Sequence, residues 1–272
     1  MNGKNNRVQY ASILTQCQQP MGQKQMRPSA SLSIKASDGV QLAADVWNEY
    51  AKATLFLLPA GAETRAVWRP VIDRLGAEVR SNWRIVAADH RGHGGSGRSE
   101  TYQFEQFYCD LAMWIAQLAA DPLVVAGGSI GGALAMVAAG EGAAIDGLVL
   151  LDVPVAPVLE RVLVERERIQ SAAKIGHSSM NTIDQRFIGG GFIEDVYRDI
   201  DRWSRAARRL KIPTLLIAGG EGVIGPNQLQ QYREHIPHGE FERLQTGHLV
   251  ARDDPQHVAD RLGSFLRTHW ET

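Results

Sequence analysis

Residues 123–132 read Leu-Val-Val-Ala-Gly-Gly-Ser-Ile-Gly-Gly, an apolar run that passes through glycines around a single serine into small residues suited to a helix. No other stretch restricts the chain as much. A strand that ends on a serine flanked by Gly127 and Gly131 has to reverse at once into a helix. The turn forces the serine into strained backbone angles, and a larger residue two positions away on either side would collide with the adjoining strand or helix. This is Gly-x-Ser-x-Gly in a strand-turn-helix setting, which lifts Ser129 off the sheet edge at a helix N-terminus. The N–H groups of the first helical turn, starting with Ile130, then point toward any negative charge that develops there.

From Ser31 onward, short apolar runs alternate with longer helical patterns, as strand-helix-strand units around a mostly parallel sheet do. Residues 32–35 and 40–47, split by Asp38-Gly39, predict an opening hairpin. Buried strands are predicted at 54–58, 85–88, 123–126, 148–151 and 214–218, with a half-exposed strand at 240–244. Helices are predicted at 67–80, 104–119, 131–139, 227–235 and 255–268. The expected fold class is therefore α/β, an eight-stranded, mostly parallel sheet with helices on both faces. Residues 155–211 break the rhythm. They carry no strand signal, only charged amphipathic pattern at 158–169 and 194–210, with Gly189-Gly190-Gly191 as a hinge or tight turn, and predict a small helical cap inside one domain spanning 31–272. Residues 1–30 are rich in Asn, Gln and Lys without an apolar core, which predicts a mobile tail rather than a signal peptide or membrane span.

A serine hydroxyl is a weak nucleophile until a base takes its proton. Of the eight histidines, His248 is placed best: it follows the last strand in Gln245-Thr246-Gly247-His248-Leu249, where a loop returns toward the edge holding Ser129. His235, His238, His257 and His269 fall on expected helix or turn surfaces, and His177 in the cap. The carboxylate that orients the base should lie between serine and histidine in chain order. The loop after 214–218 reads Gly-Gly-Glu-Gly-Val-Ile-Gly-Pro and holds no aspartate, so two candidates stand: Asp152 at the end of strand 148–151, and Glu221 in that loop. Asp152 is favoured, because a strand terminus holds a short carboxylate more rigidly than a glycine-rich loop holds a long one. Its plainer role would be to cap the entry to the helical segment. A second oxyanion N–H is expected from the loop 58–64, at Gly61 or Ala62.

Charge and composition narrow the partners. Lys and Arg number 29 against 30 Asp and Glu, a net of -1, so no broad field draws the chain to nucleic acid or anionic membrane, and a small-molecule substrate is the expected partner. Cys17 and Cys109 lie far apart, which fits a reducing cytoplasm better than a disulfide framework. No cofactor is expected: Gly220–Gly225 spells Gly-x-Gly-x-x-Gly, but only one strand and one helix follow it, too little for a dinucleotide-binding half. No metal is expected either, since Asp89, His90 and His93 cluster without a complementary ligand set.

Taken together, these stretches resemble the α/β-hydrolase superfamily across nearly everything after Ser31, and most nearly its bacterial esterase, haloperoxidase and epoxide-hydrolase-like members. Besides the Ser129 corner, residues 87–97, Ala-Ala-Asp-His-Arg-Gly-His-Gly-Gly-Ser-Gly, are similar to the family's Asp-x-Arg-Gly-His-Gly-x-Ser turn, which is mainly structural there. Gly247-His248 is similar to the family's closing histidine loop. The resemblance implies a serine hydrolase acting on a small ester, thioester, lactone or amide, with Ser129 as nucleophile, His248 as base, Asp152 or Glu221 as acid, and Ile130 and Gly61 as oxyanion donors. Epoxide hydrolases and haloalkane dehalogenases of this fold use an aspartate nucleophile, so the serine argues against both. Two departures matter: Pro59-Ala60 stands where relatives commonly carry His-Gly, and the usual loop aspartate is missing. They admit a non-catalytic small-molecule-binding homologue, or a cofactor-free dioxygenase of the same fold, although Ile130 stands where those carry a histidine. In the cap, Phe187, Phe192, Met180 and Trp203 either wall a pocket or pack the cap onto the sheet.

Overall fold

Strands Thr54–Leu58, Gly147–Leu151 and Thr214–Gly219 are buried at every position, which explains why their sequences are continuous apolar runs rather than alternating ones. The computed structural model describes residues 25–156, 160, 163–164, 167, 182–189, 192–198 and 200–270. Among these, eight strands form one sheet: β1 (Ala30–Lys35), β2 (Gln41–Trp47), β3 (Thr54–Leu58), β4 (Arg84–Ala88), β5 (Leu123–Gly128), β6 (Gly147–Leu151), β7 (Thr214–Gly219) and β8 (Glu240–Leu244). Their spatial order is β1-β2-β4-β3-β5-β6-β7-β8, and β2 runs antiparallel to both its neighbours while β3 through β8 pair in parallel. The outer strands β1 and β8 keep exposed positions, as sheet edges do.

Alternate residues of the central strands feed two cores. Phe56 and Leu58 face one, with the helices Phe104–Leu118, Ser129–Gly140 and Ile200–Arg209; Leu55 and Leu57 face the other, with Arg69–Arg74, Ala77–Asn82 and Pro255–His269. Each fully buried Leu, Ile, Val or Phe contributes about 1.5–3 kcal/mol relative to exposure, so this double layer is what holds the strand ends in place.

Three differences from the sequence reading have physical causes. The single helix expected at 67–80 is a 3-10 turn Arg65–Trp68 and two short helices, Arg69–Arg74 and Ala77–Asn82, because Leu75 turns extended at ψ 141° before Gly76. The end of the expected mobile tail is docked: the Met26 N–H donates to Asp73 Oδ1 at 2.9 Å, and the Trp47 indole donates to the Met26 carbonyl at 3.3 Å. A short helix, Val250–Asp253, follows His248 where no element was expected. Within 155–211, the described helices are Gln185–Gly189, Phe192–Arg198 and Ile200–Arg209. The expected segment 158–169 for the most part, and Cys17, His177, Met180, Gly190 and Gly191, lie outside the described residues.

Candidate active site

In this sheet β5 lies between β3 and β6, and the side chains predicted from sequence gather at the carboxyl ends of the strands. Ser129 follows β5 with φ 45°, a left-handed backbone that few non-glycine residues adopt, and begins the helix Ser129–Gly140. Two glycines make this corner possible. A Cβ on Gly127 would overlap the Gly132 amide, and one on Gly131 would meet the Pro59 carbonyl.

Asp152 is the first residue after β6, with φ 51° and no exposed surface. Its Oδ1 accepts from the Gly219 N–H at 3.0 Å, and its Oδ2 from the Val223 N–H at 2.7 Å. That same Oδ2 lies 2.7 Å from His248 Nδ1, and His248 Nε2 lies 2.9 Å from Ser129 Oγ. His248 is itself buried, in the loop between β8 and the helix Val250–Asp253, and the Gly247 N–H beside it donates to Asp253 Oδ2 at 3.0 Å. The structure thus brings Ser129, His248 and Asp152 into one hydrogen-bonded line. Glu221, the alternative acid, is exposed and stays out of it; its backbone N–H donates to the Thr246 carbonyl.

No local sequence pattern marks what holds the loop after β3. The Ala62 N–H donates to His93 Nε2 at 3.2 Å, which commits Ala62 and leaves Gly61 as the oxyanion candidate of the two. Because a backbone N–H can only donate, Nε2 accepts, and the ring proton sits on Nδ1, which donates to the Arg91 carbonyl at 2.8 Å. His90 Nε2 donates to the Pro59 carbonyl at 2.9 Å. Burial pushes His90 down to about 4 and His93 down to about 3, so both rings are neutral at ordinary pH. Both histidines belong to the turn whose sequence signature was already visible, but nothing in that signature says which loop the rings brace.

Glu63 is a second residue the sequence did not mark. With Pro59, Ala60, Trp68, Gly128 and His248 it lines a small recess beside the base, and burial pushes its carboxyl up to about 7 against the pull of Arg252 and His248. Of the aromatic residues in the predicted cap, Phe187, Phe192 and Trp203 are buried in the core with Phe104 and Phe107, so they pack that segment onto the body. Phe187 also reaches the site: a Cβ on Gly61 would lie 3.5 Å from its ring. His235, expected on a helix surface, is buried.

A family model described as "alpha/beta hydrolase fold" matches residues 53–175, the span from β3 past β6 that includes the Ser129 corner. This chain is an α/β-hydrolase-fold protein. The mouse protein named sn-1-specific diacylglycerol lipase ABHD11 is 24% identical over 223 residues, covering 69% of this chain and 73% of that protein. Two solved structures superpose on this α/β-hydrolase fold: a hydrolase from Pseudomonas aeruginosa (TM-score 0.71, 19% identity, 88% of this chain and 98% of that one) and an enol-lactonase from Burkholderia xenovorans (TM-score 0.70, 17% identity, 87% and 100%).

The fold explains the chemistry available here. In an α/β-hydrolase fold the nucleophile, acid and base arrive in the chain order Ser, Asp, His, which is the order of Ser129, Asp152 and His248. Here the candidate acid, Asp152, follows β6 rather than β7, yet the β7 strand and loop still serve it through the Gly219 and Val223 N–H groups. A carboxylate so held fixes one imidazole tautomer and turns the other ring nitrogen toward the serine hydroxyl.

Proposed function

We propose that this protein is a serine hydrolase that cleaves a small carboxylic ester, thioester, lactone or amide through an acyl-enzyme on Ser129. The observation that carries the reading is the pair of contacts made by His248, 2.9 Å to Ser129 Oγ and 2.7 Å to Asp152. In the first step Ser129 Oγ bonds to the substrate carbonyl carbon, its proton passes to His248 Nε2, and the carbonyl electrons collect on an oxyanion facing the Ile130 and Gly61 N–H groups. Collapse expels the alcohol, thiol or amine, which takes the proton back from His248. Water then repeats the sequence on the acyl-enzyme, releasing the acid and restoring Ser129. No cofactor or metal enters these steps.

The name of the mouse relative, a diacylglycerol lipase, supports an ester carbonyl among these bonds. A binding module without turnover would have no use for an acid, base and hydroxyl in hydrogen-bonding line, and a ring-cleaving dioxygenase would leave the Ile130 position unexplained. The test is covalent labelling with a fluorophosphonate probe alongside hydrolysis of p-nitrophenyl acetate. Wild type should be labelled at Ser129 and turn over the ester, while Ser129→Ala and His248→Ala should lose both; turnover that survives in Ser129→Ala would sink the proposal.

A further inference from the structure

We infer that His93 is a positioning residue for the proposed reaction: by accepting the Ala62 N–H it locks the loop after β3 so that the Gly61 N–H stays turned toward the oxyanion. The inference rests on the serine-hydrolase reading above and adds a role outside the Ser129, His248 and Asp152 line.

Three observations carry it. First, the loop is a tight turn closed by the Glu63 N–H to the Ala60 carbonyl at 3.3 Å, and inside it Ala62 has φ 59°. A left-handed backbone at a non-glycine residue costs on the order of 1–3 kcal/mol and persists only where its surroundings hold it. The contact from Ala62 N–H to His93 Nε2 is such a hold. Second, the peptide planes on either side of the Ala60–Gly61 bond are pinned by two buried rings: His90 takes the Pro59 carbonyl, and His93 takes the Ala62 N–H. The plane between them carries the Gly61 N–H. Third, His93 is fully buried and its two ring nitrogens are used in one self-consistent way, Nδ1–H to the Arg91 carbonyl and Nε2 to Ala62.

The ring is also seated from the cap side. Phe187 packs edge-on against it with centroids 4.5 Å apart. Nearby, the Asp184 N–H donates to the Gly92 carbonyl, the Gly94 N–H donates to the Thr182 carbonyl, and Ile183 bridges His93. Segment 182–189 therefore presses on the same ring that sets the oxyanion loop, so the loop's geometry depends on this segment being in place.

The experiment compares His93→Leu, which fills the space without an acceptor, with His93→Gln, whose amide oxygen can reach the place of Nε2. Each is assayed with p-nitrophenyl acetate and with a trifluoromethyl ketone, whose hemiketal on Ser129 puts an oxyanion in the same position. His93→Leu should lower kcat and trifluoromethyl ketone affinity together by about 10-fold or more with KM little changed, since only the charged, tetrahedral state uses the Gly61 N–H. His93→Gln should recover most of both. Ala62→Gly, which removes the backbone strain, should shrink the loss caused by His93→Leu in the double variant. Trifluoromethyl ketone affinity at the wild-type level in folded His93→Leu, or equal losses in the Leu and Gln variants, would overturn the inference. If His93→Leu does not fold, ring-nitrogen NMR of the wild type decides: a proton on Nδ1 alone between about pH 5 and 8 supports it, and a proton on Nε2 refutes it. Wild type that takes no fluorophosphonate label defeats the parent reading instead, independently of how the His93 variants rank.

Discussion

Gly222 lies against the carboxylate of Asp152 so closely that a Cβ at this position would overlap Oδ2, the oxygen that also meets His248 Nδ1. The glycine-rich loop after β7 thus has a reason other than flexibility. It lets the backbone close over the acid and deliver the Gly219 and Val223 N–H groups to its two oxygens. Gly222→Ala should therefore push Asp152 out of line and lower kcat on p-nitrophenyl acetate by about 100-fold, the cost typical of a misplacement near 1 Å. Glu221→Gln, one residue earlier and exposed, should leave kcat unchanged. Similar losses in the two variants would show that the loop, not the Asp152 contact, is what matters.

Asp152→Asn tests the acid directly. An amide nitrogen facing His248 Nδ1 presents a donor where an acceptor is needed and favours the wrong imidazole tautomer. The expected outcome is a fall in kcat of about 10³–10⁴-fold, with fluorophosphonate labelling of Ser129 slowed in parallel. Loss of less than about tenfold would move the acid's role elsewhere.

The strands were legible because β3 to β7 are buried on both faces at nearly every position and carry apolar runs after their first residues, and Ser129 because its corner demands glycines at fixed offsets. The acid was legible only as a choice between Asp152 and Glu221. What sets Asp152 apart is a pair of N–H groups 67 and 71 residues further along the chain, a tertiary fact no local pattern encodes. The same holds for Gly61 against Ala62, since the contact that engages the Ala62 N–H comes from His93, 31 residues away. The elevated Glu63 carboxyl arises where the loop after β3, the Trp68 turn and the segment around Val250 converge, and no one of these segments announces it.

Glu63 should make stability depend on pH with an unusual sign. Burial raises its carboxyl from 4.5 to about 7, with Arg252 and His248 opposing and Asp253 adding to the rise. Between these two values the unfolded chain releases the proton that the folded protein keeps. The stability tied to Glu63 is therefore full below about pH 4.5 and is lost as pH climbs through 7. Glu63→Gln has no such titration, so the unfolding free energy of the variant relative to wild type should rise by on the order of 1–3 kcal/mol from about pH 4.5 to 8. Urea unfolding at several pH values measures this; a difference that stays flat across the range would mean the carboxyl is solvated after all.

The turn that carries His90 and His93 is anchored by a buried guanidinium, and that anchor should be the more fragile part of it. Arg91 is 1% exposed, and its Nε and Nη2 donate to the two oxygens of Asp110 at 2.7 and 2.6 Å, while Nη1 donates to Asp38 at 2.6 Å. Asp110 is buried, whereas the Asp38 side chain is 38% exposed, so water can replace the second partner but not the first. Asp110→Ala leaves a buried charge without its bidentate acceptor and should cost about 3–5 kcal/mol of stability. Asp38→Asn should cost about 1 kcal/mol or less. Because the Arg91 carbonyl also accepts the His93 Nδ1–H, Asp110→Ala should lower trifluoromethyl ketone affinity as well as the thermal midpoint, and Asp38→Asn should leave both nearly intact. Equal thermal shifts for the two variants would contradict the burial argument, and an Asp110→Ala protein that loses stability without losing affinity would uncouple the anchor from the oxyanion loop.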